Sequence, residues 1–268
     1  MIDETARRAE LVTAARAALA DLFDRHERVF MAFSGGKDSL TLLDRCEPWR
    51  GRGTLLWVNT GHMAPFMADF VRSHAGRYDL VELAPEQPMM DQWAEIGTPA
   101  DIVPVEHVAG MDWRAPRLQA WVLCCFTHRN KPIHDYLERL GQRYAFLNGQ
   151  RESDRGATVN GLATVMPGQA EVSLPIWTWS TADVLAYVEA HGIQLHPHHA
   201  EVPTSIECIC CPANLSSEKL RLLDRLYPEE AASIRNRARG ALGLAARKAN
   251  EIIGVLDGTG LAAREVNR

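Results

Sequence analysis

An α/β fold, with a parallel sheet carrying helices on both faces and followed by a cysteine loop and a helical C-terminal segment, is predicted by three features of the sequence. Short apolar runs alternate with stretches of helical spacing through the first half of the chain, the pattern of successive βαβ units. A glycine turn, "SGGKDS" at residues 34–39, sits where one such run passes into a helix. From "STADVLAYVEAHGI" onward no convincing strand pattern appears, and residues 215–257 read as helical. The chain is accordingly divided into residues 1–214, an α/β domain that includes the cysteine loop, and residues 215–268, a helical extension.

The elements follow in order. Leu11, Ala14, Ala15, Ala18, Leu19 and Leu22 share one stripe of an opening amphipathic helix. "RVFMAFS" is a short apolar run ending in glycines, the mark of a buried strand. "KDSLTLLDRC" returns to helical spacing, "TLLWVNT" is a second strand, and "APFMADFVRSHAG" a helix closed by Gly76. "YDLVELA" is the third strand; residues 114–140 are read as largely helical, and "RYAFLNGQR" as the fourth strand. Ser180 caps the next helix and Gly192 ends it, while Pro228 opens a new one. No internal repeat or low-complexity linker is present.

Composition narrows the classes. The 268 residues are 46% hydrophobic and 24% charged, enough apolar surface for a packed core. A net charge of −5 excludes general coating of nucleic acid, though not a local basic face. The opening "MIDETARRAELVTAARAALADLF" has charges where a secretory signal needs an apolar run. No stretch approaches the roughly 20 apolar residues that span a bilayer. The expectation is a cytoplasmic protein with no membrane partner, whose cysteines serve metal binding or catalysis rather than disulfides.

Three groups of residues carry the chemistry. In the glycine turn, Gly35 and Gly36 allow a tight bend that exposes backbone N–H groups at a helix start, a cradle for phosphate. Ser34 and Ser39 add hydroxyls, Lys37 an ammonium, and Asp38 a carboxylate able to orient magnesium or cap the helix. The spacing is not that of a Walker loop, and the plain alternative is an ordinary strand–turn–helix junction. Arg151 and Arg155, beside Gly149 and Gly156, are four apart and able to aim two guanidinium forks at one anion; solvated surface arginines are the alternative. The cysteines are Cys124 and Cys125, adjacent, and Cys208 and Cys211, spaced C-x-x-C, with Cys210 between them. A disulfide between neighbours is disfavoured, and zinc knuckle spacing fits only the second pair. An iron–sulfur cluster, zinc, or buried or redox-active thiols remain open. Cys210 reads as a small packed residue or, more sharply, a persulfide carrier; Cys46 reads as core. His196, His198 and His199 in "HPHH" read as a solvated loop rather than a metal site.

"FSGGKDS" resembles the PP-loop of the N-type ATP pyrophosphatases, and the wider pattern resembles the phosphoadenosine phosphosulfate reductase superfamily. "VNTGHMAPFMADF" is similar to the family's strand-end T-G, which implies that Thr60 and Gly61 lie near the adenosine; Asn59 stands where the family usually has aspartate. "GQRESDRG" resembles its G-x-R…S-x-x-R loop, with Gly149, Arg151, Ser153 and Arg155 in register. "LPIWTWSTADVLAYVEAHGI" and "TSIECICCP" are similar to its cysteine-loop helix and S-I-x-C-x-x-C. The resemblance implies an adenine nucleotide alpha hydrolase-like fold. Its iron–sulfur members, the sulfonucleotide reductases and DNA phosphorothioation sulfurtransferases, imply a 4Fe–4S cluster on Cys124, Cys125, Cys208 and Cys211. Arg129 and Lys131 fall at slightly shifted spacing from the family's lysine after the cysteine pair.

Two departures bear on the reaction. Sulfonucleotide reductases use a cysteine near the C-terminus, whereas no cysteine follows Cys211 here. Their phosphate loop also lacks the full S-G-G-K-D-S, whereas this chain has Lys37 and Ser39. The expected activity is an ATP pyrophosphatase that adenylylates an acceptor for sulfur insertion. Catalysis is assigned to Lys37, Asp38 and Ser39, and nucleotide binding to Ser34, Gly35, Gly36, Lys37, Ser39, Thr60, Gly61, Gly149, Arg151 and Arg155. Expected cofactors are ATP, Mg2+ and the cluster. Expected partners are a sulfur donor protein such as a cysteine desulfurase and, through the arginines between Lys219 and Lys248, a nucleic-acid acceptor; a homo-oligomer is also admitted. The alternatives are a sulfonucleotide reductase using an external thiol, a sulfate adenylyltransferase-like enzyme, and a non-catalytic nucleotide or redox sensor.

Overall fold

The computed structural model describes residues 3–108, 111–141, 143–154, 170–202, 206 and 208–259. These fall into two compact units, residues 1–86 with 125–208 and residues 87–124 with 209–268. The division differs from the sequence boundary at 214, because residues 87–124 group with the helical C-terminal segment.

The first unit is built on a parallel sheet. Helix α1 (Glu4–Arg25) precedes β1 (Val29–Ala32), α2 (Lys37–Arg45), β2 (Gly53–Val58), α3 (Pro65–Arg72) and β3 (Asp79–Leu83). α3 stops at Ser73, short of the expected Gly76, because a run of turns takes over. The strand order is β3-β2-β1-β6-β7, with β6 at Tyr144–Leu147 and β7 at Ala170–Ser173, and every pairing is parallel. Alternation along the strands sends side chains to both faces. Val29, Met31, Leu55, Trp57, Ala145 and Leu147 pack with Leu19, Leu22 and Phe23 of α1 and Leu40, Leu42 and Leu43 of α2. Phe30, Leu56, Tyr144 and Phe146 pack on the other face with Leu137 of α6 (Lys131–Glu138). A sheet buried on both faces explains why its strands read as continuous apolar runs.

Helix α7 (Thr181–Ala190) joins α1 through Ala15, Val184, Tyr187 and Val188. Ser180 caps it as expected: its hydroxyl accepts from the Asp183 N–H, and the Asp183 carboxylate accepts from the Ser180 N–H. Gly192, with φ +61°, follows its last turn. Asp183 also pairs with Arg7 and Arg8. Burial pushes this carboxyl up, but the hydrogen bonds from Ser180, Arg7 and Arg8 outweigh it and hold it down at about 2. Its contribution is therefore present above the ordinary value of about 4 and lost as pH falls through about 2. Asp183→Ala should cost about 2 kcal/mol at neutral pH. The gap from wild type, read by urea denaturation, should close between those two pH values.

The second unit holds α4 (Met89–Glu95), a two-stranded parallel sheet of β4 (Thr98–Ala100) and β5 (Leu118–Ala120), α5 (Trp121–Cys125, whose last residue belongs to the first unit), α8 (Ser217–Leu226) and α9 (Pro228–Leu256). Ala100 and Leu118 pack against Ala241 and Leu244 of α9. β5 lies where a helix was expected. Gly97, at φ +134°, lets its backbone run against Arg117, where any Cβ would sit 2.6 Å from that carbonyl carbon, and Pro116 disfavours a helix leading into the pair. Pro228 opens α9 as the sequence predicts. Among the described residues no helix is long and apolar enough to cross a membrane.

Candidate functional site at the carboxyl edge of the sheet

β1 lies between β2 and β6, so the chain runs to either side of it; in open α/β sheets the crevice at such a switch point, beyond the strands' carboxyl ends, is where ligands bind. The loops after β1, β2 and β6 carry the residues singled out in the sequence.

The loop after β1 is residues 34–39. Gly35 adopts φ +72°, and a Cβ there would come within 3.0 Å of Val71, 3.2 Å of Phe70 and 3.4 Å of Met67 on α3. The loop is thus pressed against α3, and glycine is required on both counts. Gly36 is the N-cap of α2 and no side chain caps it, so the first N–H groups of this helix are left to other partners. Buried Ser39 donates its hydroxyl to the Gly36 carbonyl at 3.0 Å, and its oxygen lies 3.4 Å from that of Ser34.

Gly149, after β6, braces this loop from behind: a Cβ there would meet the Asp38 carbonyl carbon and oxygen at 3.1 Å and the Ser39 nitrogen at 3.3 Å. Asp38 does not cap α2. Its carboxylate receives the Lys37 ammonium at 2.6 Å and faces Arg151 Nε at 3.0 Å. Arg151 is buried, at 5% exposure. One terminal nitrogen donates to Thr181 Oγ1 at 2.7 Å, and the other to Asp154 at 2.9 Å. Its guanidinium therefore ties α2 to the β6 loop and the start of α7 rather than standing forked toward solvent. Ser153 lies in the short turn Glu152–Asp154. Arg155, its expected companion, lies outside the described residues.

The loop after β2 runs beside Cys208. Thr60 is buried, and its hydroxyl oxygen lies 3.6 Å from Cys208 Sγ. Met63 and Cys208 form an isolated antiparallel bridge. Gly61, at φ +78°, donates its N–H to Asn59 Oδ1 at 3.0 Å, and Asn59 donates in turn to Glu82. Asn59 thus shapes this turn.

The six cysteines are thiols. Cys125 and Cys208 belong to the first unit, Cys124, Cys210 and Cys211 to the second. In the second, burial pushes the Cys124 thiol up to about 11; the Trp93 indole N–H, 3.2 Å away, opposes this, and Cys211 is near enough to add to it. Four soft sulfur donors fit an iron–sulfur cluster in kind. Among the described residues, no three of His, Cys, Asp and Glu are gathered as a metal site. Buried Cys210 has its Sγ 3.9 Å from Met89 Sδ, the packing of a small core residue. Cys46 is buried as expected, and burial pushes its thiol up to about 12. Lys131 pairs with Asp135 at 2.5 Å.

The histidine reading is overturned. The "HPHH" stretch is not a solvated loop: His198 is 4% exposed, and His196 stacks on Phe66 at 4.6 Å between ring centroids. Lys37 and Asp38 both act electrostatically on His199. The C-terminal arginines are largely engaged within their own unit. Arg235 pairs with Asp224, Arg221 with Glu218 and Lys248 with Glu106, and Arg237 lies over Trp93 at 5.1 Å.

Over 201 residues the chain is 25% identical to adenosine 5'-phosphosulfate reductase of Burkholderia cepacia, an overlap of 73% of this chain and 74% of that one. It is 24% identical over 202 residues to an uncharacterised protein of Methanocaldococcus jannaschii, covering 44% of that protein. The crystal structure of phosphoadenylyl-sulfate reductase from Candida auris superposes with a TM-score of 0.50 at 17% identity, over 78% of this chain and 96% of that one. That likeness establishes a shared fold. Residues 28–214 match the phosphoadenosine phosphosulfate reductase domain, a span that runs from β1 and the glycine loop through the cysteine loop, and the chain belongs to that family.

Proposed function

We propose that the chain is an ATP pyrophosphatase that adenylylates an acceptor for sulfur insertion. The observation that carries this reading is the loop at residues 34–39: an uncapped helix start beneath Gly35 and Gly36, with Lys37 beside it. ATP would lay its phosphates on these N–H groups. The acceptor oxygen attacks the α-phosphorus and the bond to the β-phosphate oxygen breaks. Lys37 and the loop amides offset the charge on departing pyrophosphate. Asp38, held by Lys37 and Arg151, keeps that ammonium beside the loop. A sulfur nucleophile from a donor protein then displaces AMP from the acceptor. Thr60 and Gly61 would border the adenosine, a placement supported by their position at the end of β2. Mg2+ would accompany the triphosphate. Cys124, Cys125, Cys208 and Cys211 are the residues to hold a 4Fe–4S cluster, which when bound supplies redox or sulfur-transfer chemistry to the second half of the reaction. The short distance from Thr60 to Cys208 supports a nucleotide lying near that cysteine.

A second reading, a sulfonucleotide reductase using an external thiol, is favoured by the resemblance to the Burkholderia cepacia reductase. There a thiol attacks the sulfate sulfur, AMP leaves, and a second thiol releases sulfite. Protein purified anaerobically and given Mg-ATP should form AMP and pyrophosphate, slowly without the acceptor. Sulfite from a phosphosulfate nucleotide and dithiol, with ATP left intact, would establish the second reading instead.

A further inference from the structure

Gly35 of the phosphate loop and the "HPHH" stretch meet the same side of α3. A Cβ on Gly35 would lie 3.2 Å from Phe70, and His196 sits edge-on to Phe70 at 5.6 Å while stacking on Phe66. From there the rings form a ladder: His196 Nδ1 lies 3.0 Å from His198 Nδ1, and the His198 and His199 rings are 4.1 Å apart. The ladder ends where the charges of Lys37 and Asp38 act. The Nε2 atoms of His198 and His199 are shielded from solvent, and neither has a hydrogen-bond partner among the described residues. Buried polar groups are nearly always satisfied, so two in succession within reach of the Lys37 and Asp38 charges point to a partner supplied by a ligand.

We propose that His199 is a ligand-contacting residue of this loop, its Nε2–H donating to an oxyanion of the phosphate chain held on residues 34–39, with His196 and His198 fixing its ring. The inference rests on the phosphate-loop reading and adds to it a neutral donor opposite Lys37. Burial holds all three imidazoles below their ordinary range, and His199 is lowered further by Lys37 and His196 against the opposing pull of Asp38. A neutral donor suits the position, because a second cation beside Lys37 would repel it while the loop is empty.

The test measures binding of inorganic pyrophosphate and, separately, of adenosine. His199→Leu should weaken pyrophosphate by about 10- to 50-fold, the usual loss for one hydrogen bond to a charged group. Adenosine binding and Tm should stay unchanged, and His199→Gln, which keeps an N–H donor, should recover most of the loss. Unchanged pyrophosphate binding in His199→Leu would overturn the inference. So would parallel loss of pyrophosphate and adenosine, or a Gln variant no better than Leu. Lys37→Ala separates the two levels. If it weakens pyrophosphate and His199→Leu does not, only the histidine assignment fails; if neither matters, the loop reading fails and takes this inference with it.

Discussion

Lys37→Ala should reduce pyrophosphate formation from ATP by about 100-fold or more, the loss expected when one preorganised group facing developing charge is removed. The ammonium sits at the first turn of α2, 2.6 Å from Asp38, and its side chain is only 13% exposed. Asp38 keeps a second cation, Arg151, at 3.0 Å, so the variant leaves no buried carboxylate without a counter-charge. Folding should therefore be little affected, and the deficit should lie in binding and turnover. Lys37→Arg should recover only part of it, since a planar fork does not replace a compact ammonium in a tight loop. Steady-state pyrophosphate release together with a thermal melt separates these effects.

Arg151→Met should be the most destabilising single change at the site. It removes the partner of Asp38, of Asp154 and of Thr181 together, from a position 5% exposed. Breaking a buried charge cluster from one side costs about 3 kcal/mol or more, a fall in Tm of roughly 6–10 °C for a unit of this size. The loss comes from the guanidinium's simultaneous contacts with Asp38, Asp154 and Thr181, which no single neighbour replaces. Adding Asp154→Asn to Arg151→Met should recover part of the stability, since Asp38 keeps Lys37, while nucleotide binding stays impaired because the brace between α2 and the β6 loop is gone. Full activity in the single variant would show that Arg151 does not hold the loop.

Much of this arrangement was legible in the residues. The strand-end T-G was read only through the family resemblance, whereas the glycine loop announced itself because glycine at a strand-to-helix turn answers a backbone demand that sequence displays directly. Ser180 and Pro228 did the same for their helices. β4 and β5 escaped notice because three-residue strands have no periodicity; they depend on Gly97 running against Arg117. β7 is a half-buried edge of four residues, and its alternating polarity carries little signal.

The histidines were misread for a different reason. Three histidines around a proline suggest solvent, whereas His196 and His198 meet Phe66, and His196 also Phe70, about 130 positions earlier in the chain. Arg151 carried a binding signature in sequence, and its partners Asp38 and Thr181, distant along the chain, were not legible there. Arg235 and Lys248 have their partners, Asp224 and Glu106, at a distance along the chain, which the run of basic residues does not display.

The most direct measurement is equilibrium binding of Mg-ATP, of adenosine phosphosulfate and its 3′-phosphorylated form, and of adenosine, to anaerobically purified wild type and Lys37→Ala. The account requires Mg-ATP to bind more tightly than either phosphosulfate, with Lys37→Ala weakening ATP strongly and adenosine hardly at all. A wild type that prefers a phosphosulfate nucleotide, with Lys37→Ala binding ATP as well as wild type does, would contradict it.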